Sequence, residues 1–318
     1  MPVLDEKSLL NPRVSVVVPV YRSAATLRQL LSEVTVILST RYAWYEVILV
    51  EDRSPDNSWE ILKALKQEYG EHVKIVRLLR NSGQHNAILC GFTIASGQVV
   101  VTMDDDLQNP PEEIPKLVTA VEAGFDLAIG AYDIKQHGGW RNLSGGVIDR
   151  LQRRMFKLPA DFQLTSFRAV RSEVIKNVCE MSGAFPYITA MLLSHTSNCT
   201  NVAVDHEPRM VGKSNYNLVR SVRLAANLVL NYSSYPVYMV AIAAAVSLLF
   251  SVVYSLVVVY QSIVDGTSVP GWASTVVILS FFNSILMFCM MVFGLYLSRL
   301  VRQVSRTRVS FTVSEIQE

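Results

Sequence analysis

Two long stretches without a single charge constrain this chain more than any other feature. Val237 to Tyr260 reads VYMVAIAAAVSLLFSVVYSLVVVY, and Trp272 to Leu297 reads WASTVVILSFFNSILMFCMMVFGLYL. Each is longer than the ~20 residues that span a bilayer's hydrocarbon. Only QSIVDGTSVPG lies between them, so neither has a polar face to turn toward water. A pair of buried core helices is the competing reading, which the lack of any polar face disfavours. The expectation is a transmembrane hairpin at residues 236–260 and 272–298, with a short extracytoplasmic loop at 261–271. Of the 29 basic and 27 acidic residues, only seven lie beyond Pro236: Asp265, Arg299, Arg302, Arg306, Arg308, Glu315 and Glu318. The mean hydropathy of +0.28 is thus concentrated at one end of the chain. Four of the seven are arginines that follow the second run, while the connecting loop has none. Basic residues stay on the cytoplasmic side, which places the 299–318 tail and the N-terminal domain there, in a two-span protein of the cell membrane.

Before the first run, NLVRSVRLAANLVLNYSSYP has Leu218, Val222, Ala225 and Val229 on one helical face and Arg220 and Arg223 on another. The region 213–235 reads either as an amphipathic helix in the headgroup layer or as an ordinary packing helix. Tyr232, Tyr235, Tyr238 and Trp272 suit an interfacial aromatic belt. The first residues, MPVLDEKSLLNPR, lack the apolar core of a signal peptide. Cys90, Cys179, Cys199 and Cys289 show no C-x-x-C spacing, which fits a reducing compartment. A net charge of +2 argues against a nucleic-acid partner held by bulk electrostatics.

Residues 1–212 alternate β-branched runs with helical stretches. VSVVVPV (14–20), YEVILV (45–50), VKIVRLL (73–79) and QVVVTM (98–103) are the strands, separated by helices near 25–38, 59–69 and 85–95. Apolar strands divided by helices predict an α/β domain with a mainly parallel sheet covered on both faces. Ligands bind such sheets at the carboxyl ends of the strands. The residues there are polar: Tyr21-Arg22, Glu51-Asp52-Arg53-Ser54, Arg80-Asn81-Ser82-Gly83-Gln84, and Asp104-Asp105-Asp106-Leu107-Gln108. No G-x-G-x-x-G and no Walker-type G-K-[ST] occurs at these turns.

Three successive aspartates at a buried strand's end repel one another, and a cation relieves that repulsion. Alternate residues on a strand project to the same side, so Asp104 and Asp106 can share a divalent ion while Asp105 points away. Gln108 offers a further oxygen, and Mg2+ or Mn2+ suits hard oxygen donors in an incomplete cage. The alternative is that the acids merely cap the helix that PPEEIPKLVTAVEAG predicts.

Taken together, VSVVVPVY, EVILVEDRSPD, RNSGQHNAILCGF and VVVTMDDDLQNPPEEIP resemble glycosyltransferase family 2. The D-D-L-Q-N-P-P-E run and the C-terminal hairpin resemble its polyprenyl-phosphate branch, which includes dolichol-phosphate mannose synthase and bacterial bactoprenol glucosyltransferases. The resemblance implies a GT-A (Rossmann-like) fold, a nucleotide-sugar donor, inversion at the anomeric carbon, a polyprenyl-phosphate acceptor and a homo-oligomer, with a tetramer suspected. It puts Pro19, Tyr21, Asp52 and Asp105 at the donor nucleotide sugar, and Asp104, Asp106 and Gln108 on the metal, with Asp104 also facing the donor and Asp106 serving catalysis. HEPRMVGKSNY (206–216) matches a branch segment in which Arg209, Lys213 and Ser214 would bind diphosphate or lipid phosphate; Arg141, in GGWRNLSGG, is a second phosphate candidate on the donor side. Asp161 falls where the branch carries an acid, as a base or a positioning residue. The sequence departs from the mannose-synthase pattern at Gly130-Ala131-Tyr132-Asp133, where an arginine commonly follows, and this disfavours GDP-mannose.

The leading expectation is an enzyme that transfers glucose from a UDP-sugar donor, UDP-glucose, to undecaprenyl phosphate at the cytoplasmic face. Another sugar, such as aminoarabinose or N-acetylhexosamine, on the same lipid is the alternative. A non-catalytic nucleotide-binding scaffold is the alternative of another class. His85, His137, His195 and His206 show no ligand spacing and have no assigned part.

Overall fold

The computed structural model describes residues 12–132, 153–180, 186–207, 271–304 and 311–318, with isolated positions between 239 and 264. The chain divides into two units, Met1–Val222 with Arg306–Glu318, and Arg223–Ser305.

In the first unit, strand β1 (Val14–Val20) is buried at all seven positions and forms the centre of the sheet. Helix α1 (Leu27–Arg41) follows and buries Leu27, Leu30, Leu31, Val34 and Leu38. That spacing of three and four makes one apolar stripe on a helix of 3.6 residues per turn. Then come β2 (Tyr45–Glu51), α2 (Ser58–Tyr69), β3 (Val73–Leu78), α3 (Gln84–Ile94) and β4 (Val99–Thr102). All seven of these elements after β1's start fall within a few residues of where hydrophobic periodicity predicts them. Helix α4 (Ile114–Glu122), β5 (Leu127–Tyr132), β6 (Arg168–Arg171), α5 (Ser172–Glu180), α6 (Ile188–His195) and β7 (Cys199–Val204) complete the domain.

The eight-stranded sheet has the order β7-β5-β6-β4-β1-β2-β3-β8, where β8 is Val313–Gln317. β1 pairs in parallel with β2 and with β4, and β2 in parallel with β3. The chain therefore leaves β1 toward one side and returns to its other side at β4, a switch point whose crevice opens at the strands' carboxyl ends. The sheet is mixed: β5 also pairs in parallel with β7, so four of the seven pairings are parallel and three are not. β6 runs antiparallel to both β4 and β5, and β8 runs antiparallel to β3. β6 has only four residues, too few for periodicity to reveal, and β8 lies in a tail for which the sequence predicts no element.

Glycine decides one close approach. A Cβ on Gly91 of α3 would stand 2.3 Å from Cγ1 of Val17, so α3 packs on β1 at a distance only glycine permits.

In the second unit, helix α7 (Trp272–Val304) runs for 33 residues. Large apolar side chains such as Leu279, Phe281, Met287, Met290 and Phe293 are more than half exposed. Counting described residues only, no helix is long and apolar enough to cross a membrane. The juxtamembrane stretch 213–235 and most of 236–260 lie outside the described residues.

Candidate active site

The carboxyl ends of β1, β2 and β4 surround a cavity of about 720 Å3, lined by Pro19, Tyr21, Asp52, Gly83, Gln84 and the acids Asp104 to Asp106, among others. The four polar strand ends singled out in the sequence thus meet in one place. Each does so through a specific local bond.

Asp52 follows β2 and is buried. Its Oδ1 accepts the Ser82 N–H at 2.6 Å and its Oδ2 the Gly83 N–H at 2.7 Å, so this carboxylate organises the loop after β3 as well as facing the cavity. Burial raises its pKa above the usual carboxylate value, against the lowering pull of those two N–H groups, and neighbouring Glu51 adds to the rise. Glu51 is itself fully buried; it accepts the Ser54 N–H and forms an ion pair with Arg77 Nε at 2.9 Å whose geometry falls short of a hydrogen bond. Arg77 in turn lies over the Trp59 ring. The turn after β2 is held from below, which fixes where Asp52 points.

The acidic turn divides its work among three residues. Asp105 Oδ2 accepts the Tyr21 N–H at 3.0 Å and a short bond from the Ser23 hydroxyl, and its carbonyl accepts Thr26 Oγ1 at 2.7 Å. It therefore bolts the end of β1 to the end of β4 across the switch point. Burial pushes its pKa up to about 6, opposed by the bonds from Ser23 and Tyr21 and reinforced by the charges of Asp104 and Asp106. Asp104 accepts Gln84 Nε2 at 2.7 Å on Oδ1 and Ser166 Oγ at 2.6 Å on Oδ2. Asp106 Oδ1 receives the Gln108 N–H at 3.3 Å, around Leu107 with φ at +61°.

Gln108 leans away from the turn. Its Nε2 lies 3.4 Å from His206 Nε2 and donates to the Glu207 carbonyl at 3.4 Å, while Glu207 N–H donates to the Gln108 carbonyl at 2.9 Å. His206 lies over Tyr132 with ring centroids 4.1 Å apart, and Tyr132 OH donates to Asn109 Oδ1 at 2.7 Å. Burial, with the charge of Asp104 adding to it, pushes the Tyr132 hydroxyl up to about 12. The acidic turn is thereby joined to the segment that begins HEPR. No spacing rule assigns His206 a part; stacking on Tyr132 does.

The donor set fits a divalent cation. Carboxylates at the lip of an open cavity supply hard oxygen, their mutual repulsion favours a positive charge, and incomplete enclosure leaves positions for phosphate oxygens. Among the described residues, no group of three His, Cys, Asp or Glu is close enough to hold a metal alone. A cation here would draw on Asp104, Asp106 and the oxygens of a bound phosphate; the Gln108 side chain, expected from the sequence as a further ligand, is instead engaged with His206 and the Glu207 carbonyl.

Asp161 is exposed and does not line the cavity. Arg141, Arg209, Lys213 and Ser214 lie outside the described residues. Four groups around the turn have no assigned part in the sequence reading: Gln84, Ser166, Tyr132 and Arg168. Gln84 sits in the RNSGQHN run, so its place at a strand end is visible there; Ser166 and Arg168 carry no such local signal. Arg168 is 2% exposed, donating to the Ser166 carbonyl at 3.3 Å and to Thr189 Oγ1 at 3.0 Å.

Comparison with known proteins gives this geometry its context. The chain is 34% identical over 262 residues to an undecaprenyl-phosphate 4-deoxy-4-formamido-L-arabinose transferase of Edwardsiella ictaluri, covering 82% of this chain and 79% of the relative. The protein of the same description from Yersinia pestis (strain Pestoides F) is 31% identical over the same shares. Among solved structures, glucosyl-3-phosphoglycerate synthase from Mycobacterium tuberculosis, in complex with Mn2+, uridine diphosphate and glucosyl-3-phosphoglycerate, superposes with a TM-score of 0.52 at 17% identity, over 72% of this chain and 83% of that one. Mannosyl-3-phosphoglycerate synthase from Rubrobacter xylanophilus gives 0.54 at 16%, over 71% and 76%. At such identities these two establish the fold alone, the GT-A arrangement. The model of glycosyl transferase family 2 matches residues 15–179, just over half of the chain, and takes in every strand end that meets at the cavity. With its acids on those strand ends and relatives alike over four fifths of its length, the chain belongs to glycosyl transferase family 2, on the branch of the undecaprenyl-phosphate sugar transferases.

Proposed function

We propose that this protein transfers a single sugar from a nucleoside-diphosphate donor to a polyprenyl phosphate, with inversion, at a membrane surface. The observation that carries the reading is that Asp52 and the Asp104–Asp106 turn line one open cavity at the switch point of the sheet. Asp52 and Tyr21 suit the base and ribose, since a carboxylate accepts from N–H and hydroxyl donors. The acidic turn suits the diphosphate end with Mg2+ or Mn2+, which when bound neutralises the charge gathering on the departing nucleoside diphosphate. Asp105 fixes the two walls relative to each other through Tyr21 and Ser23.

In the transfer, an acceptor phosphate oxygen forms the new bond to the anomeric carbon as the bond to the donor's diphosphate oxygen breaks. A phosphate monoester has its second pKa near ~6, so the acceptor arrives largely dianionic and needs no base. That agrees with Asp161 lying exposed and away from the cavity. Arg209, Lys213 and Ser214 are proposed as contacts to lipid phosphate or diphosphate, and Arg141 to the donor, on the sequence alone.

The donor sugar is better read as a modified pentose than as glucose. The expectation of UDP-glucose draws no support from the relatives, whose described sugar is 4-deoxy-4-formamido-L-arabinose, whereas the alternative of another sugar on the same lipid fits them. The lipid acceptor requires proximity to a bilayer, and the two uncharged runs followed by Arg299, Arg302, Arg306 and Arg308 support two spans with both termini cytoplasmic.

The test is transfer by the purified full chain in detergent, with polyprenyl phosphate, Mn2+ or Mg2+ and a panel of labelled nucleotide sugars that includes UDP-glucose and the formamido-arabinose donor. Labelled lipid with the pentose donor is expected. No labelled lipid with any donor overturns the reading.

A further inference from the structure

The groups that hold Asp104 have no part in the transfer described above, and their origin is informative. Gln84 is the first residue of α3, whereas Ser166 lies two residues before β6, so Asp104 is gripped from two distant parts of the chain. Ser166 is itself fixed, because its carbonyl accepts Thr102 Oγ1 at 2.6 Å and Arg168 Nε at 3.3 Å. The terminal torsion of an aspartate is broad, so a carboxylate left alone samples many planes. One donor on each oxygen selects a single plane and so the direction in which its other lone pairs are presented. The two N–H groups just before Gln84, those of Ser82 and Gly83, hold Asp52. Three consecutive residues therefore hold two of the acids that line the cavity, Asp52 and Asp104.

We propose that Gln84 is a positioning residue of the donor site: with Ser166 it sets the carboxylate plane of Asp104 toward the diphosphate and its cation, in register with the loop that holds Asp52. This rests on the donor-site reading above. Hydrogen bonds to a charged partner are the stronger kind, and losing one at a binding site lowers affinity about tenfold.

The experiment compares the full chain with Gln84→Met, which keeps length and helix propensity but removes the amide, and with Ser166→Ala. Binding of UDP with Mn2+, binding of UMP without metal, and the thermal midpoint are measured. For Gln84→Met the expected result is about tenfold weaker UDP binding in Mn2+, UMP binding within about twofold of the unsubstituted chain, and an unchanged midpoint, since Gln84 is exposed. Ser166→Ala is expected to weaken UDP binding in Mn2+ in the same direction. Unchanged UDP affinity in Gln84→Met overturns the inference. Equal losses for UMP and UDP also overturn it, because they mean that Gln84 only orders the loop. An unsubstituted chain that binds neither nucleotide overturns the donor-site reading and this inference with it, a result distinct from the other two.

Discussion

At the scale of single residues, the three acids of one turn separate into different kinds of work. The Asp105 carboxylate accepts the Tyr21 N–H and the Ser23 hydroxyl, so Asp105→Ala unpairs both donors, while the Thr26 hydroxyl keeps its bond to the main-chain carbonyl. Loss of about 1–3 kcal/mol of stability is expected, together with loss of transfer, read by thermal unfolding and by labelled lipid. Asp106→Asn keeps the shape and removes the charge. It should reduce transfer by about 100-fold or more with the thermal midpoint unchanged, and near-normal turnover would make the turn a helix cap only. His85 supplies a pH prediction. Burial, with the charge of Arg168, lowers its pKa from 6.5 to about 4, so the folded protein keeps it neutral where the unfolded chain takes up a proton. Its contribution is complete above pH 6.5 and is lost as pH falls toward 4, on the order of 1–3 kcal/mol. His85→Asn should flatten that part of the unfolding-midpoint profile between pH 7 and 4; an identical slope in both proteins would refute it. The carboxylates themselves are legible in the sequence, because acids at strand ends are a local pattern. Their partners are not: Ser166 is 62 positions from Asp104, and Tyr21 is 84 positions from Asp105.

At the scale of elements, β1 to β4 and α1 to α3 follow from hydrophobic period, because each buries its apolar face within its own length. What period does not reveal is which strand lies beside which. β6 enters between β4 and β5, and its four residues bring Ser166 and Arg168 up to the acidic turn. Gly91 shows how tightly the layers meet. Alanine improves helix propensity by about 1 kcal/mol, but its Cβ would overlap Val17, a stiff β-branched side chain in a buried strand. Overpacking wins, and Gly91→Ala should lower stability by about 1–3 kcal/mol in denaturant unfolding. β8 covers the edge of β3, with Val76 opposite Ile316 and Arg77 opposite Glu315. Unpaired edges invite association, so deleting residues 313–318 should promote aggregation of the detergent-solubilised protein, measured by light scattering.

At the scale of the whole molecule, charge distribution separates a mixed-charge unit from one that carries only Arg223, Asp265, Arg299 and Arg302, and the proposed anchoring has its own test. Replacing Arg299, Arg302, Arg306 and Arg308 together with glutamine removes the basic asymmetry across the second run. A C-terminal topology reporter should then lose its strong preference for the cytoplasmic side; an unaltered preference would assign orientation to the N-terminal domain instead. The sequence by itself determined the composition of the two units, the strands and helices with strong period, and the acids at their carboxyl ends, because burial over a few residues leaves a local trace. Tertiary structure alone decided the insertion of β6, the addition of β8 to the edge of β3, and the bonds that aim Asp52, Asp104 and Asp105. Those depend on contacts between residues tens of positions apart, and a pairing between distant residues leaves no periodicity in either partner.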